Sequence, residues 1–211
     1  GARPGDVLHV RILEATVRVP YGINRGRPGA GLLPDLLDDV AARLFTVDPD
    51  GQHLQMGAVG RVPLAPFPGI VTLTPPGSAP GSDLPGGRRS ARGVGPWGGN
   101  LDQRRLTVGS ALFLPVHVDG ASLYLGDPHS AQGDGEANGT GVEHSCSFRI
   151  ALRLHHDVPA STPVVSTPPH WIATGIDRDL TRALELATAA AVDLLVGLSD
   201  DVLSTADAYA L

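Results

Sequence analysis

Apolar and polar residues alternate along much of this chain. From Val7 the run VLHVRILEATV sets Leu8, Val10 and Ile12 on one side and His9 and Arg11 on the other, as a half-buried strand requires. The clearest alternation is EHSCSFRIALRLHHD, Glu143 to Asp157. There His144, Cys146, Phe148, Ile150, Leu152 and Leu154 share one face, with Glu143, Ser145, Ser147, Arg149 and Arg153 on the other. SALFLPVHV and ASLYLGD predict two further strands. Near the C-terminus the period changes. Asp177 can cap a helix in which Leu180, Leu184, Ala187, Ala191 and Leu194 return at helical spacing, ending near Gly197, and Ser199 can cap a second short helix.

The connecting segments are less regular. Residues 20–35, PYGINRGRPGAGLLPD, read as a loop, LLDDVAARLF as a short helix and DPDG as a turn. VPLAPFPGIVTL is apolar but carries three prolines, which predicts edge strands or extended segments. The stretch from Pro75 to Gly99 is rich in Gly, Pro, Ser and Arg and reads as a long loop. Its GVGPWG matches the dinucleotide fingerprint only formally: no strand precedes it, Pro96 interrupts it and no helix follows. With 27 glycines, 19 prolines and 4% aromatics, the composition favours many short strands joined by turns. The reading is an α+β fold in one domain, residues 1–211. It is β-rich, with sandwich-like layers of mostly antiparallel strands over 1–165 and a C-terminal helical layer over 174–211.

Charge and residue usage exclude several functions. A net charge of −6 without an extended basic run argues against nucleic acid, and Arg88, Arg89 and Arg92 read as a solvated loop. All 16 basic residues are arginine. Without lysine there is no phosphate-loop lysine, no pyridoxal Schiff base, and neither a Glu-Lys-Cys nor a Ser-Lys amidase. The single cysteine, Cys146, rules out an internal disulfide and a cysteine-rich zinc site, and suits a reducing cytoplasm. No apolar run reaches membrane-spanning length and no signal peptide is visible, so a cytoplasmic protein with no membrane partner is expected.

The chemistry concentrates in GDPHSAQGDGEANGTGVE, Gly126 to Glu143, which packs four carboxylates, one histidine and five glycines into eighteen residues. In an extended strand residues two apart share a face, pairing Asp127 with His129 and Asp134 with Glu136. Oxygen donors with one imidazole suit Zn²⁺, Mn²⁺ or Ca²⁺, and like charges gathered without a cation repel until one takes a proton. The residues alone leave two readings open, an acidic surface turn and a metal or acid–base site. DGEANG resembles the start of an EF-hand loop, but Glu143 falls two positions early and the flanks read as strands. Cys146 reads as a structural thiol, and Ser145 lacks the G-x-S-x-G elbow. His117 reads as a core histidine, His155 and His156 as solvated, and His170 with Trp171 as packing before the helix.

In order along the chain, GARPGDVL, VPLAPFPG, GGNLD, LTVGSALFLPVHVDGA, LGDPHSAQGDGE, TGVE and TPPHWIATGIDRDLTRALELA resemble the acetamidase/formamidase family. The resemblance implies hydrolysis of short linear amides such as formamide and acetamide, a β-rich fold with helices to one side, and a bound divalent metal, Zn or Ca. Carried onto this sequence it implicates Asn100, Asp102, His129, Asp134 and Glu136, with Asp127, Gln132 and Glu143 behind them. Expected roles are catalysis by Glu136, Glu143 and Asp134, substrate binding by Asn100 and Gln132, and metal ligation by Asp102, His129, Asp134, Glu136 and Asp127. Family members carry a further N-terminal portion and continue past the AYAL that ends this chain, so a partial catalytic domain and a homo-oligomer are expected. Two rival readings are a non-enzymatic β-sandwich module with a structural Ca²⁺ on Asp134, Glu136 and Asn138, and an inactive truncated homologue.

Overall fold

A computed structural model describes residues 1–58, 60–77, 90–156, 158, 160–200 and 202–211. In chain order the strands are β1 (Val7–Val17), β2 (Tyr21–Gly26), β3 (Ala41–Val47), β4 (His53–Met56), β5 (Gly60–Pro63), β6 (Phe67–Thr72), β7 (Val94–Gly95), β8 (Gly98–Asn100), β9 (Ala111–Pro115), β10 (Tyr124–His129), β11 (Cys146–His155), β12 (Val164–Thr167) and β13 (His170–Ala173). A single 3-10 turn covers Asp134–Glu136, and two helices close the chain, α1 (Leu180–Leu198) and α2 (Thr205–Ala210).

The strands form three antiparallel sheets, ordered β11-β1-β9-β12-β13, β10-β6-β8-β7 and β2-β3-β4-β5. The alternation in β1 and β11 is what pairs them, Leu8 opposite Leu154 and Val10 opposite Leu152. Inward side chains of the first two sheets meet in one core: Ile12, Leu112, Leu114 and Val165 from the first, Val71 from the second, closed by Leu73, Leu106 and Val116. Burying such aliphatic side chains contributes roughly 1.5–3 kcal/mol each, which is what holds the layers together. The β-rich fold with antiparallel sheets and a C-terminal helical segment is therefore as expected.

Several local expectations are corrected. The loop expected over residues 20–35 contains β2, and the helix expected through LLDDVAARLF is replaced by β3. Six residue pairs join these strands, from Tyr21 with Thr46 to Gly26 with Ala41, and Phe45, Thr46 and Val47 are residues that favour a pleated surface. Strand β6 lies inside its sheet between β10 and β8 rather than at an edge. Its one proline, Pro68, is tolerated because it faces another proline, Pro128, where neither can donate to the ladder. His170 and Trp171 belong to β13, so strands continue beyond residue 165; the Trp171 ring packs 5.6 Å from that of Phe113, while His170 is exposed. His155 is half-buried beside Phe113 and His9, while His156 pairs with Asp6. Arg88 and Arg89 lie outside the described residues.

Helix α1 is capped by Asp179 rather than Asp177, and α2 starts at Ser204, whose side chain forms a capping box with Asp207. The covered stripe of α1 is also rotated from the predicted one. Leu180 and Leu184 are exposed, because Gly175 lies against the backbone of Ala183 and Ala187 and sets that face inward. Among the described residues no helix is long and apolar enough to cross a membrane.

Candidate active site

The site is built where β10 ends. His129, the last residue of β10, is 1% exposed, with its ring 5.3 Å from that of buried Phe67. Four carboxylates surround it. Nε2 lies 3.1 Å from the Glu143 carboxylate, 3.8 Å from Glu136 and 4.0 Å from Asp127, and Nδ1 lies 3.7 Å from Asp102 Oδ1. Their donor atoms form two groups that share the histidine, Asp102–His129–Glu136 and Asp127–His129–Glu143, each within 4.8 Å.

Backbone geometry explains how such a crowd is assembled. Glu143 bridges two elements: its N–H donates to Ile23 O and its carbonyl accepts from Ile23 N–H, while it also pairs with His129. Asp102 is tied to β6 through its N–H to Gly69 O, 3.0 Å. A methyl group on Gly69 would lie 2.6 Å from Asp127 O and 2.7 Å from both Asp102 Oδ1 and His129 Cε1, so only glycine leaves room for the three to converge. Gly141 does the same on the other side of the ring, where a Cβ would stand 2.9 Å from His129 Cδ2. Three of the carboxylates, Asp102, Asp127 and Glu136, have positive φ (45°, 53° and 46°), each at a cost of order 1–3 kcal/mol that the surrounding contacts must sustain.

Burial and mutual repulsion set the protonation of the group. Glu136 is pushed up to about 7 by desolvation and by the charge of Asp102. Asp102 and Asp127 are raised by desolvation first, with a neighbouring carboxylate adding to it. Desolvation would lower His129, but the Glu143 hydrogen bond and the charges of Glu143, Asp127 and Asp102 outweigh it and raise it. With Nε2–H donated to Glu143, Nδ1 has no partner, and neither has the buried Asp102 Oδ1 facing it.

The structure thus brings together Asp102, Asp127, His129, Glu136 and Glu143. It does not bring in Asp134. The period-two pairing with Glu136 fails because Gly135, at φ 76°, turns the chain into a 3-10 turn, and Asp134 points outward to a salt bridge with Arg104. Asn100 and Gln132 both hold Asp102: Asn100 Nδ2 donates to Oδ2, and Gln132 Nε2 donates to the Asp102 carbonyl, 2.7 Å away. Gln132 Oε1 is buried without a partner. The rival Ca²⁺ set is pulled apart, Asp134 to Arg104, Asn138 to Asn24 and Glu136 to the histidine. Gly69 and Gly141 are the residues that sequence reasoning missed, since nothing local distinguishes them from turn glycines.

A β-sandwich with a buried carboxylate–histidine centre at the rim of one sheet defines the class. Comparison with known proteins narrows it. Residues 84–174 match the Acetamidase/Formamidase family. The acetamidase of Mycolicibacterium smegmatis is 40% identical over 136 residues, 62% of this chain and 30% of that protein. Two solved structures align over nearly the whole chain. An acetamidase/formamidase from Thermoanaerobacter tengcongensis has TM-score 0.86 and 26% identity over 100% of this chain and 65% of its own. The acetamidase from Bacillus halodurans has TM-score 0.84 and 32% identity over 99% of this chain and 66% of its own. The family match thus lies in residues 84–174, and the chain as a whole is similar to these acetamidases while spanning less than two thirds of their length.

Proposed function

We propose that the protein hydrolyses the C–N bond of linear carboxamides, formamide and acetamide being the amides its relatives are named for, and releases the carboxylic acid and ammonia at the His129 cluster. The observation that carries this reading is four carboxylates packed on one buried histidine with two facing donor atoms, Asp102 Oδ1 and His129 Nδ1, left without partners.

Those orphaned atoms and the mixed oxygen–nitrogen donor set fit a divalent cation such as Zn²⁺ or Ca²⁺. Asp102, His129 and Glu136 would hold it, with Asp127 and Glu143 within reach of the same histidine. Bound there, such an ion supplies Lewis acidity to the amide carbonyl and to water. The chain's own residues do the rest. Glu136, on the wall of the adjoining cavity, takes a proton from the attacking water and returns it to the departing nitrogen, which leaves as ammonia when the C–N bond breaks. Glu143 orients His129 through Nε2, and Asn100 and Gln132 fix Asp102.

We also infer a cytoplasmic setting and a homo-oligomer. The first is supported by the single cysteine, Cys146, which is free, and the second by apolar side chains such as Leu180 and Leu184 left exposed on α1.

Ammonia release from formamide and acetamide by the full chain, before and after chelation, tests the proposal. Release that stops with chelator and returns with a divalent ion is expected. Release that survives chelation sinks the role of the metal, and no release from any amide sinks the reading itself.

A further inference from the structure

Beside the cluster lies a half-open cavity of about 630 Å³, between the sheet of β2–β5 and the segment from Ala131 to Val142. Its polar end is formed by Gln132 and Glu136, with the Arg104–Asp134 pair at the edge. The remaining wall is dominated by Phe45, Val62, Pro63, Ala65, Phe67 and Val142. Glu136 therefore faces two ways, its carboxylate 3.8 Å from His129 Nε2 and its side chain on the cavity wall.

We infer that this cavity is an acyl-binding pocket and that the preferred substrates are primary amides with an extended or aromatic apolar acyl group. This rests on the amide-hydrolase reading above. Liquid water occupies about 30 Å³ a molecule, so the cavity has room for about twenty waters, far more than the few heavy atoms of acetamide displace. Its volume falls within the roughly 300–1,000 Å³ typical of pockets for much larger ligands. Apolar walls contribute to binding only when an apolar group covers them, and Phe45 and Val62 reach into the cavity from a sheet that supplies none of the cluster. The polar end fixes the orientation. A carboxamide placed at the Gln132 and Glu136 end puts the reacting carbon beside Glu136 and leaves the acyl chain to run toward Phe45 and Val62.

The test is ammonia release by the full chain from acetamide, isobutyramide, hexanamide and phenylacetamide, compared by kcat/KM. Each buried methylene is worth about fourfold, so hexanamide should exceed acetamide by at least about tenfold. Val62→Trp, which narrows the cavity away from the carboxylates, should lower the hexanamide-to-acetamide ratio by about fivefold or more. A kcat/KM that falls with every added carbon, or a ratio unmoved by Val62→Trp, overturns the pocket while leaving the amidase intact. Release from none of the four amides overturns both.

Discussion

Among the described residues two places gather aspartates around a histidine with donor atoms within 4.8 Å, and they are built on opposite principles. On the hairpin between β3 and β4, Asp48, Asp50 and His53 sit near the surface. Arg61 answers their charge, Nε to Asp48 at 2.6 Å and Nη2 to Asp50, and Asp50 also accepts from the Gln52 N–H. Around His129, among the described residues, no arginine salt-bridges any of the four carboxylates. Three of those four sit at strained positive φ, whereas the hairpin takes its sharp bend at Gly51. The lesson is that residue types do not make a site. A cluster already neutralised by an arginine is a turn, while one held together against its own repulsion is fitted for a cation and a substrate.

The comparison breaks most sharply at its glycines. Gly69→Ala should drive a methyl into three residues of the cluster, cutting turnover by about 100-fold or more and lowering the melting temperature. Gly51→Ala has open space around it, so it should cost only the strain of its φ of 67°, about 1 kcal/mol, and leave ammonia release unchanged. Equal losses of activity in the two variants would mean that the His129 cluster is not the working centre. Next in size is Glu136→Gln, for which turnover should fall by about 10²- to 10⁴-fold with the fold retained, since it removes a crowded, desolvated charge. Asp50→Asn is its counterpart and should leave turnover alone. A Glu136→Gln protein that unfolds while its residual activity per folded molecule holds would make the residue structural.

How much of this was legible in the sequence follows from which forces act locally. Strands β1 and β9 announce themselves because one face is buried, so Val10, Ile12, Leu112 and Leu114 recur at the strand period, and β11 does so through a face that is half-buried from Cys146 to Ile150 although Leu152 is exposed. Strands β2 and β3 do not, because YGINRG carries two glycines and AARLF is a good helix sequence. Only their pairing with each other selects the extended state. At the site, Asp102, Asp127, His129, Glu136 and Glu143 were legible as types. The grouping of Asp134 with Glu136 was misread because a period of two holds only where the backbone is extended, and Gly135 breaks it. The roles of Gly69 and Gly141 depend on what approaches them from distant segments, which no local pattern records.

Smaller effects should separate the two clusters by pH. In chelator-treated protein the folded chain holds the Glu136 proton more tightly than the unfolded chain, its carboxyl lying at about 7 against an ordinary 4.5. Its contribution therefore favours folding at the acid end and is lost as pH rises between those values. Asp50 runs the other way. The Gln52 N–H, with help from His53 and Arg61, holds its carboxyl below the usual range, so its contribution is present at neutrality and lost as pH falls through that depressed value. Melting temperature against pH for Glu136→Gln and Asp50→Asn should lose opposite limbs of the wild-type profile, and identical profiles would dissolve the distinction.

The smallest effect is the most diagnostic for the hairpin itself. Arg61 is half exposed, so its ion pairs with Asp48 and Asp50 form in a high-dielectric setting where attraction is screened and side-chain ordering offsets much of the gain. Arg61→Ala should lower the melting temperature by no more than about 3 °C, and the difference should vanish in 1 M salt. A larger, salt-insensitive loss would show that the hairpin charges are held as tightly as those around His129. The arginine would then be repaying a repulsion of the same kind that a cation must neutralise at the site.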